Sequence, residues 1–183
     1  RDDIKKDYGA TIWAETIKQI HRHVPKCTVE VLTPDFQGDR VALKKVFDAK
    51  PEIFSHNVEC IERISRKVRA QSVWTRSLDV LKQSVASGLR TKTGMMVGLG
   101  ESTKEVIETM KEVVDLGVEI FTIGQYLQPT KKHLPVFRYV EDEEFQIYKK
   151  TGLDLGFRVV ESGALVRSSY HADEQARLVK IKN

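Results

Sequence analysis

The sequence has 183 residues, of which 40% are hydrophobic and 31% charged, the composition of an ordinary globular protein rather than of a disordered chain. No stretch approaches the roughly 18–20 consecutive apolar residues of a membrane span, which excludes an integral membrane protein. The formal net charge of +4 comes from scattered basic residues, whereas nucleic-acid binding requires a basic stripe on one face. We therefore expect one domain over residues 1–183 that binds neither membranes nor nucleic acids.

The two cysteines, Cys27 and Cys60, are too few for a disulfide scaffold, a structural zinc site or an iron–sulfur cluster. Their spacing matches no metal-binding motif, so we expect both to be small buried residues in a reducing compartment. The sequence opens at Arg1 with neither an initiator methionine nor a targeting segment, which indicates part of a longer chain.

Helical and extended patterns alternate from the N-terminus onward. The first helix is predicted from Ala10 to Val24, and Pro25 ends it. Its apolar residues at helical spacing are Ile12, Trp13, Ile17 and Ile20. The next four predicted elements are a strand at 27–33, a helix at 40–49, a strand at 52–56 and a helix at 58–69.

The second half repeats this alternation. A helix capped by Thr75 or Ser77 is expected to end at Gly88 in a left-handed conformation. Ser102 and Glu105 form a capping box, since each side chain can satisfy a free backbone N–H group at the start of a helix. The remaining predicted elements are strands at 92–97, 118–123 and 158–160 and a helix at 141–155.

Strands separated by helices of this length indicate right-handed βαβ crossovers and a parallel sheet. Such a sheet is covered on both faces, either as a barrel or as an open doubly wound sheet, and the pattern alone favours neither. In both architectures ligands bind at the carboxyl ends of the strands. The segments at these ends are 33–36, 55–59, 98–101, 124–126 and 161–163.

Each of these segments has a structural and a functional interpretation. Gly98 and Gly100 either permit a tight turn or let a ligand approach the backbone. Asn57 either caps the following helix or contacts a ligand, whereas Asp35 is predicted to be a turn residue. The acidic run 141–144 complements a helix dipole rather than binding a metal.

Two further segments are open to interpretation. The basic loop Lys131–His133 is either solvated surface or a contact for an acidic partner. In the C-terminal extension, residues 162–183, Ser168 or Ser169 could cap a helix. A cap would not explain Arg167 or Tyr170.

A set of motifs occurs in a characteristic order along the chain. They are RDD at 1–3, WAETI at 13–17, VEVLTPDF at 29–36, SHNVE at 55–59, TGMMVGLGE at 93–101, GQYLQPT at 124–130, HLPV at 133–136 and RSSY at 167–170. Their order and spacing resemble the lipoyl synthase family of the radical S-adenosylmethionine (SAM) superfamily. The main departure is that the six cysteines of the family's two cluster-binding motifs are absent, and we expect them upstream of Arg1.

The resemblance implies an α/β fold, a partial (β/α)6 TIM-like radical-SAM barrel that contains the later strands. It implies a sulfurtransferase that inserts sulfur at C6 and C8 of an octanoyl chain on a lysine of a lipoyl carrier protein. The implied cofactors are S-adenosyl-L-methionine, the source of a 5′-deoxyadenosyl radical, and two [4Fe–4S] clusters, of which the auxiliary one is consumed as sulfur source. The 183-residue piece alone is expected to be inactive, because the cysteine ligands lie outside it.

The resemblance also implies partners and a location. The partners are octanoylated carrier domains of the 2-oxoacid dehydrogenase E2 component and the glycine cleavage H protein, together with an electron donor such as ferredoxin or flavodoxin. The location is a bacterial cytoplasm or a mitochondrial matrix.

Site residues follow from the resemblance by position. Ser169 resembles the serine that completes the coordination of the auxiliary cluster, and its oxygen is expected to leave iron more readily than a thiolate would. Arg167 is expected to stabilise the released serine or orient the tail. Asn57 and Glu101 are the expected polar contacts to SAM, and the Lys131–His133 loop is expected to help dock a carrier.

Two other functions compete with this one. The first is a cluster-free barrel fragment that acts as a binding or structural module. The second is another sulfur-inserting radical SAM enzyme, such as biotin synthase, which lacks the Arg167–Tyr170 motif.

Overall fold

Five parallel strands form one sheet: β1 (Glu30–Leu32), β2 (Ile53–Ser55), β3 (Arg90–Val97), β4 (Ile120–Gln125) and β5 (Val159–Gly163). The computed structural model describes residues 6–178, so the motif at 1–3 and the end of the tail at 179–183 lie outside the described residues. The strand order is β1-β2-β3-β4-β5. A doubly wound sheet reverses its order at a switch point, so this uninterrupted order is that of a barrel wall. The predicted parallel α/β fold is confirmed, and the order settles the choice in favour of the barrel.

The helices within the described range are α1 (Ala10–His23), α2 (Arg40–Asp48), α3 (Glu62–Val68), α4 (Trp74–Ala86), α5 (Thr103–Asp115), α6 (Asp142–Leu155) and α7 (Ala172–Leu178). A short 3-10 turn, Phe36–Gly38, follows β1. Among the described residues, no helix combines the length and hydropathy needed to cross a bilayer. The capping box at the start of α5 is confirmed, because Ser102 and Glu105 satisfy each other's backbone N–H groups.

The two faces of the sheet differ in chemistry. The outer face is apolar and packs against the helices through side chains such as Phe54, Phe121 and Ile123. On the inner face, Ile120 packs in a small apolar cluster near the amino ends of the strands. The next inner positions along the neighbouring strands carry Thr122 and the paired Glu161. Function is therefore expected on the polar inner face, toward the carboxyl ends of the strands.

The predicted helix at 58–69 is wrong in its first turn, because the chain there continues the sheet. The Glu59 N–H donates to the Gly94 carbonyl over 3.1 Å, and the Glu59 carbonyl accepts from the Met96 N–H over 2.8 Å. Helix α3 begins only at Glu62. Asn57 is thus not a helix cap, which removes the structural alternative for this residue.

Helix α4 also departs from expectation. It begins at Trp74 without a side-chain cap, so neither Thr75 nor Ser77 caps it. Ser77 is instead buried and bonded to His56. Gly88 lies just beyond α4 with φ +79°, the left-handed conformation that was predicted.

Three burial or boundary predictions near the N-terminus need correction. Ile12 is 61% exposed, whereas Ile17 is buried as predicted and forms the buried face of α1 with Ala10 and Ala14. Cys27 is exposed and precedes the strand, which spans only Glu30–Leu32 of the predicted 27–33.

Cys60 is buried as predicted, and burial raises the pKa of its thiol to about 12. This thiol therefore stays protonated and chemically inert at neutral pH.

Candidate functional site

The C-terminal extension crosses the carboxyl end of β4. The Val166 carbonyl oxygen lies against Gly124, where any Cβ atom would overlap with it. The Val166 side chain is buried, and the backbone N–H of Val166 donates to the Gly163 carbonyl over 3.0 Å. The glycine at position 124 is thus the feature that lets the tail pass directly over the strand.

Arg167 and Ser169 follow this crossing. The Arg167 guanidinium donates to the carbonyl oxygens of Val166 over 2.6 Å and Ala164 over 3.4 Å. Ser169, three residues beyond Val166, is exposed. The two residues therefore follow directly on the crossing over β4. Ser169 is exposed to solvent, and Arg167 stabilises the turn that precedes it.

Asn57 lies at the carboxyl end of β2, next to the inner face of β3. Its Oδ1 atom is buried without a hydrogen-bond partner among the described residues. It lies 3.2 Å from the place that a Cβ atom on Gly94 would occupy. An unpaired buried carbonyl oxygen is costly, so this atom is suited to accept a hydrogen bond from an amino or hydroxyl group of a ligand.

Glu101 has a different environment from the one expected for a free ligand contact. Its carboxylate accepts the N–H of Gly98 over 2.6 Å and the N–H of Leu99 over 2.9 Å. Gly98 and Gly100 have φ values of +96° and +104°, which other residues rarely adopt. The side chain of Glu101 therefore shapes the glycine loop after β3.

Arg63 also stabilises this glycine loop, residues 98–100. Arg63 donates to the carboxylate of Glu105 over 2.7 Å and to the Gly100 carbonyl over 3.0 Å. Helices α3 and α5 are thereby joined across the loop. The loop is consequently fixed on both sides.

The long segment 126–140 after β4 is anchored at several points. The Gln125 side chain donates to the carbonyls of Tyr126 and Arg138 and accepts the Val140 N–H over 2.9 Å. The Arg138 guanidinium makes two 2.7 Å hydrogen bonds to Glu144, which hold the pKa of that carboxyl at about 2. The tip at 131–133 is exposed, so the segment presents a basic tip on a fixed base.

A polar cavity of about 300 Å³ lies next to the carboxyl ends of β1 and β2. Its lining includes Asp35, His56 and Arg76. Asp35 caps the 3-10 turn as predicted and also pairs with Arg76. His56 is fully buried, and this burial lowers its pKa, so the ring is neutral. Its Nδ1–H donates to the Thr33 carbonyl, and Nε2 accepts from the Ser77 hydroxyl. His56 thereby fixes the ends of both strands.

The structure thus places the predicted site residues at one edge of the sheet but in different settings. Asn57 has a buried oxygen without a hydrogen-bond partner among the described residues. Glu101 accepts hydrogen bonds from the glycine loop. Arg167 and Ser169 lie on the tail, just after it crosses β4. Lys92, which is fully buried on the inner face, was missed. A lysine at the start of a predicted strand was the signal that could have found it.

Comparison with known proteins places this geometry in a family. The family described as the radical SAM superfamily matches residues 4–113. The mitochondrial lipoyl synthase of Nematostella vectensis is 53% identical over 175 residues, which cover 95% of this chain and 60% of the relative. The lipoyl synthase of Rubrobacter xylanophilus is 54% identical over 177 residues, which cover 96% of this chain and 55% of the relative. The chain thus spans between half and two thirds of the length of these curated relatives.

Comparison with solved structures gives a consistent fold. A domain of a pyruvate-formate lyase-activating enzyme from Bacteroides vulgatus superposes with a TM-score of 0.63 at 12% identity, over 84% of this chain and 94% of that domain. Identity at this level supports the shared fold alone. From the family match, the barrel wall and the similarity along nearly the whole chain, we conclude that this chain belongs to the radical SAM superfamily and is similar within it to the lipoyl synthases.

Proposed function

We propose that this chain forms the later part of a lipoyl synthase, the enzyme that inserts sulfur at C6 and C8 of an octanoyl chain on a carrier lysine. The observation that carries this proposal is an identity of more than half over 95% of the chain to lipoyl synthases. The tail supports it, since the Arg167–Tyr170 motif follows directly on the crossing over β4 at Gly124. We place the whole enzyme in a bacterial cytoplasm or a mitochondrial matrix.

Membership of the superfamily implies a [4Fe–4S] cluster and SAM as cofactors. We further propose an auxiliary [4Fe–4S] cluster as the sulfur source. Together these groups supply the radical that removes hydrogen atoms from the octanoyl chain and the sulfur that replaces them. Among residues 6–178, no group of three or more His, Cys, Asp or Glu could hold a metal ion. We propose that this chain contributes one oxygen ligand to a cluster and that the cysteine ligands come from another part of the enzyme.

For that oxygen we propose Ser169. The side chain is exposed three residues beyond the crossing over Gly124, so its hydroxyl is accessible to a bound group. An alkoxide oxygen is less well matched to iron bridged by sulfide than a thiolate is, so it is released more easily. Arg167, whose guanidinium braces the preceding carbonyls, keeps the turn in place and offers positive charge beside the released oxygen.

For SAM we propose Asn57 as a direct contact, because its buried Oδ1 lacks a partner among the described residues. This fits a ligand rich in amino and hydroxyl donors. For Glu101 we propose a contribution through the glycine loop, whose backbone its carboxylate holds in position.

For the carrier we propose docking at the exposed loop after β4. Lys131, Lys132 and His133 form its basic tip, and Phe137 and Tyr139 beside it are 72% and 70% exposed. Exposed aromatic residues next to basic ones suit an acidic protein surface. The carriers would be the lipoyl domains of 2-oxoacid dehydrogenases and the glycine cleavage H protein, with ferredoxin or flavodoxin as electron donor.

A chimera tests the proposed function. Residues 1–183 replace the matching region of the Rubrobacter xylanophilus lipoyl synthase, and the product is loaded with clusters and given SAM, reductant and an octanoylated carrier peptide. Mass spectrometry is expected to show two sulfur atoms inserted into the octanoyl chain. A chimera that carries both clusters and cleaves SAM, yet inserts no sulfur, would overturn the proposal.

A further inference from the structure

Lys92 is a charged residue on the inner face of β3, the middle strand of the sheet. It pairs in register with Ser55 and Ile120 and is fully buried. Its Nζ lies 2.8 Å from a carboxylate oxygen of Glu30 on β1. A buried ammonium is stable only when its donors are paired, so the partners of Lys92 are held firmly.

The second partner of Lys92 comes from the C-terminal helix. The Lys92 ammonium donates to Oε1 of Gln175 on α7 over 2.7 Å, and Gln175 is itself fully buried. The other end of the same amide, Nε2, donates to the Tyr170 carbonyl over 2.7 Å. One glutamine thus joins the inner face of the sheet to the turn that contains the Arg167–Tyr170 motif.

The turn is closed by its own backbone. The Tyr170 N–H donates to the Arg167 carbonyl over 2.9 Å, and the Ala172 N–H donates to the Ser169 carbonyl over 3.3 Å. The Ser169 peptide is therefore fixed relative to Tyr170, which Gln175 holds in turn. A path of hydrogen bonds leads from Glu30 through Lys92 and Gln175 to the backbone beside Ser169.

We propose that Lys92 and Gln175 are positioning residues that hold the turn carrying Ser169 against the inner face of the sheet. This inference rests on the proposed function for the role of Ser169, but the anchoring itself does not. Releasing the tail would leave the Lys92 ammonium with one partner fewer in a buried setting, so the tail stays closed over the sheet. The serine is then presented as a ligand on a rigid turn although it is itself exposed.

The first test measures the anchoring in the chimera, before any cluster is loaded. Gln175→Glu keeps an acceptor for Lys92 but removes the donor to the Tyr170 carbonyl. Lys92→Met combined with Glu30→Gln removes the buried charges together, so that no unpaired ion remains. We expect amide hydrogen exchange of residues 168–175 to become about tenfold faster in both variants. Arg177→Ala, on the exposed side of α7, is the control and should leave exchange unchanged.

The second test measures the consequence in the active chimera. In Gln175→Glu we expect the ratio of 5′-deoxyadenosine formed to sulfur inserted to rise at least fivefold, with an altered Mössbauer signature of the iron that Ser169 contacts. SAM cleavage itself should persist. A merely structural role would lower cleavage and insertion together.

The outcomes separate the two proposals. Unchanged exchange in the Gln175 variant overturns the inference even if the chimera makes lipoyl product. Faster exchange with an unchanged ratio also overturns it, since the anchoring would then not serve Ser169. A wild-type chimera that cleaves SAM but inserts no sulfur counts against the proposed function and against the role of Ser169, while the exchange experiment still decides the anchoring.

Discussion

The carbonyl oxygen of Val166 occupies the space that a Cβ atom on Gly124 would need. Gly124 is on the inner face of β4, and Val166 belongs to the segment that carries Arg167 and Ser169 across it. The contact is between backbone and backbone, so no side-chain rearrangement can relieve a larger residue at position 124. The position of the tail therefore depends on this glycine.

Gly124→Ala should displace the tail and destabilise the fold. We expect a loss of about 1–3 kcal/mol in the free energy of unfolding, the range for overpacked interiors, measured by urea denaturation. Gly163→Ala is the matched control, because a Cβ there would lie 3.5 Å from the Val166 side chain, an ordinary contact. Equal stability of the two variants would show that the crossing adapts.

Ser169→Cys should separate radical formation from sulfur insertion in the chimera. A thiolate would hold iron more tightly than the proposed serine ligand, so an iron bound at this position would be released more slowly. We expect 5′-deoxyadenosine formation to continue and lipoyl formation to fall at least tenfold. Ser168→Cys, at the neighbouring position, should keep most of the product, and full activity of Ser169→Cys would remove the ligand role.

Asn57→Ala should weaken SAM binding with only a small effect on the fold. The buried Oδ1 has no partner among the described residues, whereas the side chain also bonds to Glu59, so we expect a loss of about 1 kcal/mol in the free energy of unfolding. SAM affinity, measured by calorimetry on the cluster-loaded chimera, should fall about tenfold. In contrast, Gln125→Ala removes three hydrogen bonds to backbone groups and should lower the unfolding free energy. Unchanged SAM affinity in Asn57→Ala would exclude the contact.

The ion pair between Arg138 and Glu144 should make stability depend on pH in the acid range. Because these hydrogen bonds lower the pKa of Glu144 from 4.5 to about 2, their stabilisation is fully present above pH 4.5 and is lost as the pH falls toward 2. Glu144→Gln should cost on the order of 2 kcal/mol at pH 7 and flatten this part of the pH profile. Glu143→Gln, an exposed neighbour, serves as control. Parallel pH profiles for the two variants would contradict the assignment.

Reversing charge at the loop tip tests the docking proposal. Lys131→Glu with Lys132→Glu should raise the KM for an acidic carrier domain about tenfold and reduce its salt dependence, because a rim charge acts mainly on association. The kcat for a short octanoylated peptide should stay unchanged. Lys82→Glu with Lys111→Glu makes the same charge change on α4 and α5. If both double variants affect the carrier equally, the effect is one of net charge rather than of docking.

Features encoded over a few neighbouring residues were accessible from the sequence. The capping box of Ser102 and Glu105 and the left-handed Gly88 were predicted and found, because both depend on hydrogen bonds and backbone angles within one turn. The alternation of strands and helices likewise predicted a parallel sheet. The sequential strand order, which identifies a barrel wall, required the pairing itself.

Features that depend on distant partners were not accessible in the same way. The stretch after Asn57 has helical periodicity but is not helical, because Glu59 pairs with β3. Ser77 has the residue type of a cap but bonds to His56, which follows β2 and lies 21 residues away in sequence. The partners of Lys92 come from β1 and α7, more than 60 and 80 residues away in sequence. Tertiary pairing overrode local preference at each of these positions.

Gly124 and Gln125 are consecutive residues that point to opposite sides of β4. The first admits the tail on the inner side, and the second holds the base of the loop on the outer side. An insertion or deletion of one residue within β4 would exchange these orientations and disrupt both attachments in a single step. The length of β4 is therefore constrained by two attachments at once, one on each side of the sheet.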